Sequence, residues 1–403
     1  MSQVNGNPGP RHDSDAHGRQ PAVVLGGHAS ALAVTRALGR AGIPVISAFH
    51  SAREYASASK YVTRRVLTPD PVVDADGFVR VLRSLGEDHP GSLLVPAYDE
   101  ALLAVAEHRE SLSEHFAVGC MDSEHTNRCL DKKQTYAIAE RAGVPFPRTL
   151  SPSSLEELEA WTDEISFPWI VKPRLSHLYA RAGAGKMTKV ENREELLSAW
   201  AAAKEAGLGV VVQEFIPGPD HNGANYNVYI ADGEVWAEAT AHKLRSKRPE
   251  IESPRMVLSK DIPEVTELGR RITQAVGIDG FANVEFKCHA RTGVFHLIEI
   301  NARHNMSAGL AVRCGVNFPL IEYEHRMHGT RPGPVAGETG VYWISLEWEL
   351  REARRLAKRR ELPRNYLRPY VGPHVHDVLD WRDPAPFSKW ASDLAAARSG
   401  GAS

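Results

Sequence analysis

The stretch from Leu297 to Ser307 reads LIEINARHNMS. Glu299, Asn301 and Arg303 occupy alternate positions in it, with Ile298, Ile300 and Ala302 filling the others. Side chains of a strand alternate between two faces. A carboxylate, an amide and a guanidinium therefore share one face, and apolar residues take the other. The segment just upstream, FANVEFKCHARTGVFH, supplies a partner strand. Its RTG turn has three residues with glycine last, a common hairpin connection. Pairing Ala290 with Val294 and counting outward sets Glu285 opposite Glu299 and Asn283 opposite Asn301. Opposed side chains share a face with Cβ atoms roughly 5 Å apart, and like charges so placed repel. Two arrangements relieve that repulsion. One carboxyl is protonated, as in an acid–base dyad, or a cation lies between the pair. Two carboxylates and an amide make an all-oxygen set that suits Mg2+, which keeps several waters and bridges to nucleotide phosphates. The plain alternative is an exposed hairpin with scattered polar residues. A one-residue register slip would undo the opposition but not the alternation.

Lys132, Lys172, Lys186 and Lys243 each lie in or beside a strand-like stretch. Lys172 sits inside WIVKP, where a charge is costly unless it meets an anion. Singly, each reads equally well as a surface lysine. Together with Mg2+ they form a cationic shell for a triphosphate. Phosphoryl transfer needs such a shell, because charge spreads over the phosphate oxygens as the bond breaks.

These residues need elements to hold them. PAVVLGGHASALAVTRALGRAGIPVISAF, from Pro21, reads as strand, glycine turn, helix and strand, the pattern of a parallel α/β domain. Its turn, with Gly27 and His28, lacks the full GxGxxG pattern and suits either a tight entry to a helix or a ligand-contacting loop. SLLVPAYDEALLAVAEH repeats the scheme. Tyr98, Asp99 and Glu100 then lie at a helix start, where acids complement the dipole, and at a strand's C-terminal end, where open α/β sheets bind ligands. From about Glu124 the style changes. CLDKKQTYAIAERAGVPFPRTL is a helix closed by Gly143 and Pro145. Strand FPWIVKPRL, loop RAGAGKMTKV and strand LGVVVQEFIPGPDHNG follow. NYNVYIADGEVWAEATAHK is a hairpin with Asp-Gly at its turn, and helix IPEVTELGRRITQAVG leads into the opening strands. Beyond Thr330 the chain is rich in Pro and Gly, then highly charged: ELREARRLAKRREL reads mainly as a solvated helix face, with phosphate contact as the alternative.

The totals set bounds. A chain of 403 residues suggests two or three domains. Its hydrophobic fraction of 42% is that of a globular protein, and a net charge of −2 argues against nucleic acid or an anionic membrane as the main partner. Cys120, Cys129, Cys288 and Cys314 form no CxxC pair, so a disulfide framework or zinc site is not expected, and a cytoplasmic setting is. No apolar run has the length of a membrane span. Residues 1–20 lack the apolar region of a signal peptide and read as a disordered leader.

The order of these motifs, from about Pro21 to Gly329, resembles the ATP-grasp superfamily. The resemblance implies an α/β fold with an α+β lid: a Rossmann-like N-terminal domain over 21–125, a small lid domain over 126–215, a C-terminal catalytic domain over 216–330 and an extension over 331–403. It implies that Lys132 and Lys172 reach the phosphates of ATP, with Lys186 in a loop that closes over them. Glu214, Phe215 and Ile216 would face the adenine, and Asp220 the ribose. Glu285, Glu299 and Asn301 match the family's Mg2+ ligands, with Mn2+ as a substitute. Arg303, Lys243 and Arg245 would act on the reacting groups, and Gly27, His28, Tyr98, Asp99 and Glu100 on substrate. The expected reaction activates an amino-acid carboxylate, for example the glutamate side chain, as an acyl phosphate. An amine of another amino acid then attacks, releasing ADP and phosphate. The expected partners are small carboxylates and amines, with a homodimer left open. A bicarbonate-activating carboxylase-type enzyme and a non-catalytic ATP-binding regulator are the alternatives.

Overall fold

The computed structural model describes residues 18–162, 165–174, 187–247 and 253–399. Its first sheet has five strands, all parallel: β1 Ala22–Leu25, β2 Val45–Phe49, β3 Val62–Leu67, β4 Ser92–Pro96 and β5 Phe116–Val118, in the order β3-β2-β1-β4-β5. β1 and β4 are buried along their whole length, as expected for apolar strands covered on both faces. The strand order reverses between β1 and β4, and a crevice opens beyond their C-terminal ends. The loops there carry Gly26–His28 and Ala97–Asp99. Gly26 has φ 110°, and a Cβ on it would come 2.9 Å from the Tyr98 ring, so glycine alone fits.

The second sheet is antiparallel and four-stranded: β6 Thr149–Leu150, β7 Trp169–Pro173, β8 Thr188–Val190 and β9 Val210–Glu214, ordered β6-β9-β7-β8. Trp169 and Val171 of β7 pack with Leu158, Leu196 and Trp200 from the helices Leu155–Thr162 and Arg193–Glu205. Alternation then sends Lys172 to the opposite face.

The third sheet has seven strands: β10 Gly223–Ala231, β11 Glu234–Ser246, β12 Pro254–Ser259, β13 Gly280–Cys288, β14 Phe295–Asn301, β15 Tyr342–Ile344 and β16 His374–His376, ordered β14-β13-β10-β11-β12-β15-β16. Asp232 and Gly233, both at positive φ, turn β10 into β11. One face meets the helix Pro263–Val276, and Tyr226 and Val228 of that face, with Ile272 of the helix, form a core continuous with Val23 and Leu25 of the first sheet and Phe78 of the helix Ala75–Asp88. The other face carries the polar residues.

The segment beyond residue 330 is no loose appendage, because β15 and β16 lengthen this sheet. Asp383, wholly buried, accepts from Arg36 Nε (2.9 Å), Ser59 Oγ (2.7 Å) and Lys60 N (2.8 Å), which ties the tail to the first sheet. The charged helix Leu346–Arg359 turns Arg351 and Arg355 to solvent, where they pair with Glu347 and Glu352. Glu349 alone of that helix is buried. It accepts from Arg245 Nη1 (2.7 Å) and Tyr370 Oη (3.0 Å) and pairs with Arg255. Removing one member of such a cluster strands buried charge. Glu349→Ala is therefore expected to cost about 3–5 kcal/mol in urea unfolding, and Arg351→Ala less than about 1 kcal/mol. No helix among the described residues is long and apolar enough to cross a membrane. All four cysteines are free thiols.

Candidate active site

Three neighbouring strands build a polar grid. Asn225 on β10, Glu285 on β13 and Glu299 on β14 form one cross-strand row, and Asn227, Asn283 and Asn301 form the next. The opposition of Glu285 to Glu299 and of Asn283 to Asn301 holds, but the turn expected at Ala290–Val294 does not set it. Cys288 pairs with Phe295 and Phe286 with Leu297, one residue out of the count from that turn, and a bulge at Ile298 restores the register. The bulge also corrects the placing of Ile298. Its side chain lines the same cavity as Glu299 rather than joining the core, and its carbonyl accepts from Tyr136 Oη at 2.7 Å.

The amides hold one another. Asn227 Oδ1 accepts from Asn283 Nδ2 (3.0 Å) and Asn305 Nδ2 (3.1 Å), and Asn301 Nδ2 donates to Asn283 Oδ1 (3.4 Å) and Glu285 Oε1 (3.5 Å). Asn225 Oδ1 is buried with no hydrogen-bond partner among the described residues. Asn225 and Asn227 were not singled out from the sequence. The signal was present, since they alternate with apolar residues in NYNVYI just as the LIEINAR residues do.

The lysines arrive from three elements. Asp131 caps the helix Lys132–Arg141 through Lys133 N, and its carboxylate also accepts from Arg174 Nε at 2.9 Å, just past β7. That link sets Lys132 beside Lys172. Lys132 Nζ lies 3.5 Å from Glu299 Oε1, and Lys243 Nζ, reaching across from β11, pairs with Glu285. Gly223 makes the second reach possible, for a Cβ there would come 2.8 Å from Lys243 Cδ. Each carboxylate thus has its own ammonium. This answers the repulsion differently from a shared proton or a lone intervening cation.

Lys172 is almost fully buried, and its Nζ donates to Tyr136 Oη at 3.1 Å. Burial pushes its ammonium down to about 8, against the opposing pull of Glu299 and Glu285. The unfolded chain holds that proton up to about pH 10.4. From about pH 8 to about pH 10.4 the unfolded state therefore binds more protons, and folding gains stability as pH rises, by at most about 1.4 kcal/mol per unit. Below pH 8 both states are protonated and the contribution is flat. Urea unfolding of the wild type against Lys172→Met should show the difference moving in favour of the wild type across that window.

One cavity of about 360 Å3 gathers most of the expected residues. Lys132, Lys172, Lys243, Glu285, Glu299 and Asn301 line it, as do Glu214, Phe215, Ile216 and Asp220. Asp220 Oδ2 accepts from Ser246 N at 2.8 Å, and the Phe215 ring lies 4.5 Å from Lys189 Nζ and 4.6 Å from Lys287 Nζ. Arg303 also lines the cavity, but it is not a lone cation. Its Nε and Nη2 make a fork to the carboxylate of Asp99 at 2.6 and 2.9 Å, joining the third sheet to the crevice of the first. Lys186 lies outside the described residues.

Arg245 is not at the cavity. A bulge between Lys243 and Arg245 turns it away, and its guanidinium lies 4.1 Å over the Tyr366 ring and bonds to Glu349. Of the expected substrate residues, Asp99 alone reaches the main cavity. Gly27 faces Glu54, and a Cβ on it would fall 2.1 Å from that side chain. Tyr98 is tucked beside His50, with ring centroids 5.7 Å apart, and burial raises its hydroxyl's pKa. Glu100 adds to that rise and lies off the cavity wall. His28 lines a neighbouring cavity.

Among the described residues no cluster of three or more His, Cys, Asp or Glu side chains stands ready for a metal. The donors present are two carboxylates with amide oxygens beside them. The unpartnered Asn225 Oδ1 fits a hard cation or its water, and an all-oxygen set of low charge suits Mg2+ better than zinc.

A family model described as "ATP-grasp in the biosynthetic pathway with Ter operon" matches residues 232–346. A D-aspartate ligase of Enterococcus faecium is 27% identical over 246 residues, which is 58% of this chain and 58% of that protein. A D-alanine–D-alanine ligase of Ectopseudomonas mendocina is 29% identical over 211 residues, 48% of this chain and 63% of that protein. The chain thus spans less than two thirds of the length of these curated relatives. An L-amino acid ligase from Bacillus licheniformis superposes with a TM-score of 0.61 at 20% identity, covering 77% of this chain and 75% of that one.

Proposed function

We propose that this chain is an ATP-dependent carboxylate–amine ligase of the ATP-grasp superfamily, a reading supported by the family match over residues 232–346, the ligase relatives and the fold neighbour. It activates an amino-acid carboxylate as an acyl phosphate and passes the acyl group to the amine of another amino acid, releasing ADP and phosphate. The observation that carries the reading is the meeting of Glu285, Glu299, Lys132, Lys172, Lys243 and Arg303 at one cavity. Paired carboxylates facing several cations fit a nucleotide's phosphates and their counter-ion, and Arg303, gripped by Asp99 through Nε and Nη2, turns its remaining Nη1 edge to a substrate.

Each residue then has a role. The backbone from Glu214 to Ile216 borders the base, and Asp220 the ribose. Lys132 and Lys172 draw charge off the phosphates as the bond to the leaving group breaks. Glu285, Glu299 and Asn301, with Asn225, would hold Mg2+. When bound, that ion supplies charge neutralisation at the phosphate oxygens. Arg303, steadied by Asp99, holds the acid and then donates to the oxyanion formed when the amine attacks the acyl carbonyl. Apolar walls at Ile298 and Met306 keep water from the anhydride. No side-chain nucleophile is required.

The test is a mass-spectrometric screen of amino-acid pairs with ATP and Mg2+, glutamate included as acid. A product heavier by one condensation, formed in step with ADP, is the expected result. Turnover with bicarbonate but with no amino-acid pair would move the chain to the carboxylase type. ATP binding without turnover on any substrate would mark it as a nucleotide-binding regulator.

A further inference from the structure

A second cavity, of about 390 Å3, adjoins the first, and Ser30 and Met306 line both. Loops of the first sheet form one side of it, and residues of the tail form the other. We propose that this cavity is the seat of the amine substrate, and that it selects an α-amino acid with a large aromatic side chain, its carboxylate held by Arg53. The inference rests on the ligase reading above and adds to it the class of the second substrate.

The charges in the cavity point to a carboxylate. Its two acids are engaged within the protein. Asp377 accepts from Ser345 Oγ (2.5 Å), Leu346 N (3.3 Å) and Val378 N (2.9 Å), and Glu347 accepts from Trp390 Nε1 (3.1 Å) and pairs with Arg351. Arg53, by contrast, lines the wall while its guanidinium makes no hydrogen bond or ion pair among the described residues. Lys247 Nζ lies 4.7 Å over the Trp348 ring, and its charge acts on the buried Asp377 of the same wall, which leaves Arg53 as the charge facing the cavity. The charge left to an incoming molecule is positive, and a planar guanidinium matches a carboxylate in a two-point fork.

The walls point to an aromatic ring. Trp348, Trp390, Phe387 and Tyr55 all line the cavity. Phe387 and Trp390 pack with centroids 5.3 Å apart, and the bond from Trp390 Nε1 to Glu347 fixes the indole. Rigid aromatic faces favour an aromatic guest through area burial and offset stacking. A ring seated there and a carboxylate on Arg53 leave the α-amino group to point at the opening shared by Ser30 and Met306, towards the cavity where the acid is activated.

The test titrates phenylalanine, alanine and aspartate, each as both enantiomers, into the full chain with ADP and Mg2+ in a calorimeter. Phenylalanine is expected to bind at least tenfold tighter than the others. Arg53→Ala and Trp348→Ala should each weaken it at least tenfold while leaving ATP affinity and the circular-dichroism spectrum unchanged. Phenylalanine binding no tighter than alanine, or with undiminished affinity in both variants, overturns the inference. The ligase reading fails separately: selective phenylalanine binding without condensation in the pair screen would sink that reading and leave only a binding pocket. Condensation of non-aromatic pairs with no phenylalanine binding would do the reverse.

Discussion

Glu299→Gln is expected to cut ADP formation by on the order of 10³-fold, the upper range for losing one well-placed electrostatic group, while the fold stays intact. Gln keeps the volume and one oxygen but loses the charge. In the folded chain Glu299 faces Lys132 at 3.5 Å and sits in register with Glu285. Its side chain is 32% exposed, and although Lys132 across from it is buried, Gln keeps an oxygen for that ammonium, so the fold is retained at a modest cost in stability. The catalytic loss and the stability therefore separate. Mn2+ binding, followed by electron paramagnetic resonance with ADP present, should weaken in step with activity. Near-normal turnover in the variant would show that the Glu285/Glu299 pair holds no essential ion.

Arg303→Ala should show the second large effect, a fall in kcat of about 10²–10³, and this change should not leave stability untouched. The fork to Asp99 is half-buried at both ends, so truncation strands a carboxylate at the junction between the first and third sheets. Asp99→Asn separates the two contributions. It keeps Arg303 in the chain but loosens its hold, so it should lower kcat by roughly tenfold, the modest share left to a group that only positions another. In both variants the KM for ATP should stay near the wild-type value, because neither residue is among those proposed to hold the nucleotide. A rise in that KM with kcat unchanged would place Arg303 on the nucleotide instead of the reacting acid.

The polar face of β14 was legible in LIEINAR because alternation is a property of one strand's backbone and needs no partner. Lys172 in IVKP was legible for a similar reason, since a charge inside an apolar run is conspicuous, whereas Lys132 in LDKKQTY stood out only through the family resemblance. The same signal lay unused in NYNVYI, where Asn225 and Asn227 complete the grid. The hairpin shows the limit of local reasoning. The strands turn one residue away from the Ala290–Val294 pairing, and Glu285 still opposes Glu299 because a bulge at Ile298 restores the register. Nothing in the run of residues marks that bulge. It is held by packing and by the hydrogen bond from Tyr136, which lies far away in the chain.

Arg245 and the tail make the same point at longer range. By sequence Arg245 is a neighbour of Lys243, and the motif order assigns both to the active site. A second bulge and the buried carboxylate of Glu349 draw Arg245 to the other side. The run ELREARRLAKRREL showed its solvated face but not that its Glu349 would anchor two arginines, nor that the strands around it would lengthen the main sheet. Residue type and spacing along one element carried the chemistry of the site, because strand periodicity is short-range. The pairing of lysines with carboxylates, the fork between Arg303 and Asp99 and the tail's place beside the first sheet depend on which elements meet. Burial, charge and packing settle that together, and only in the folded chain.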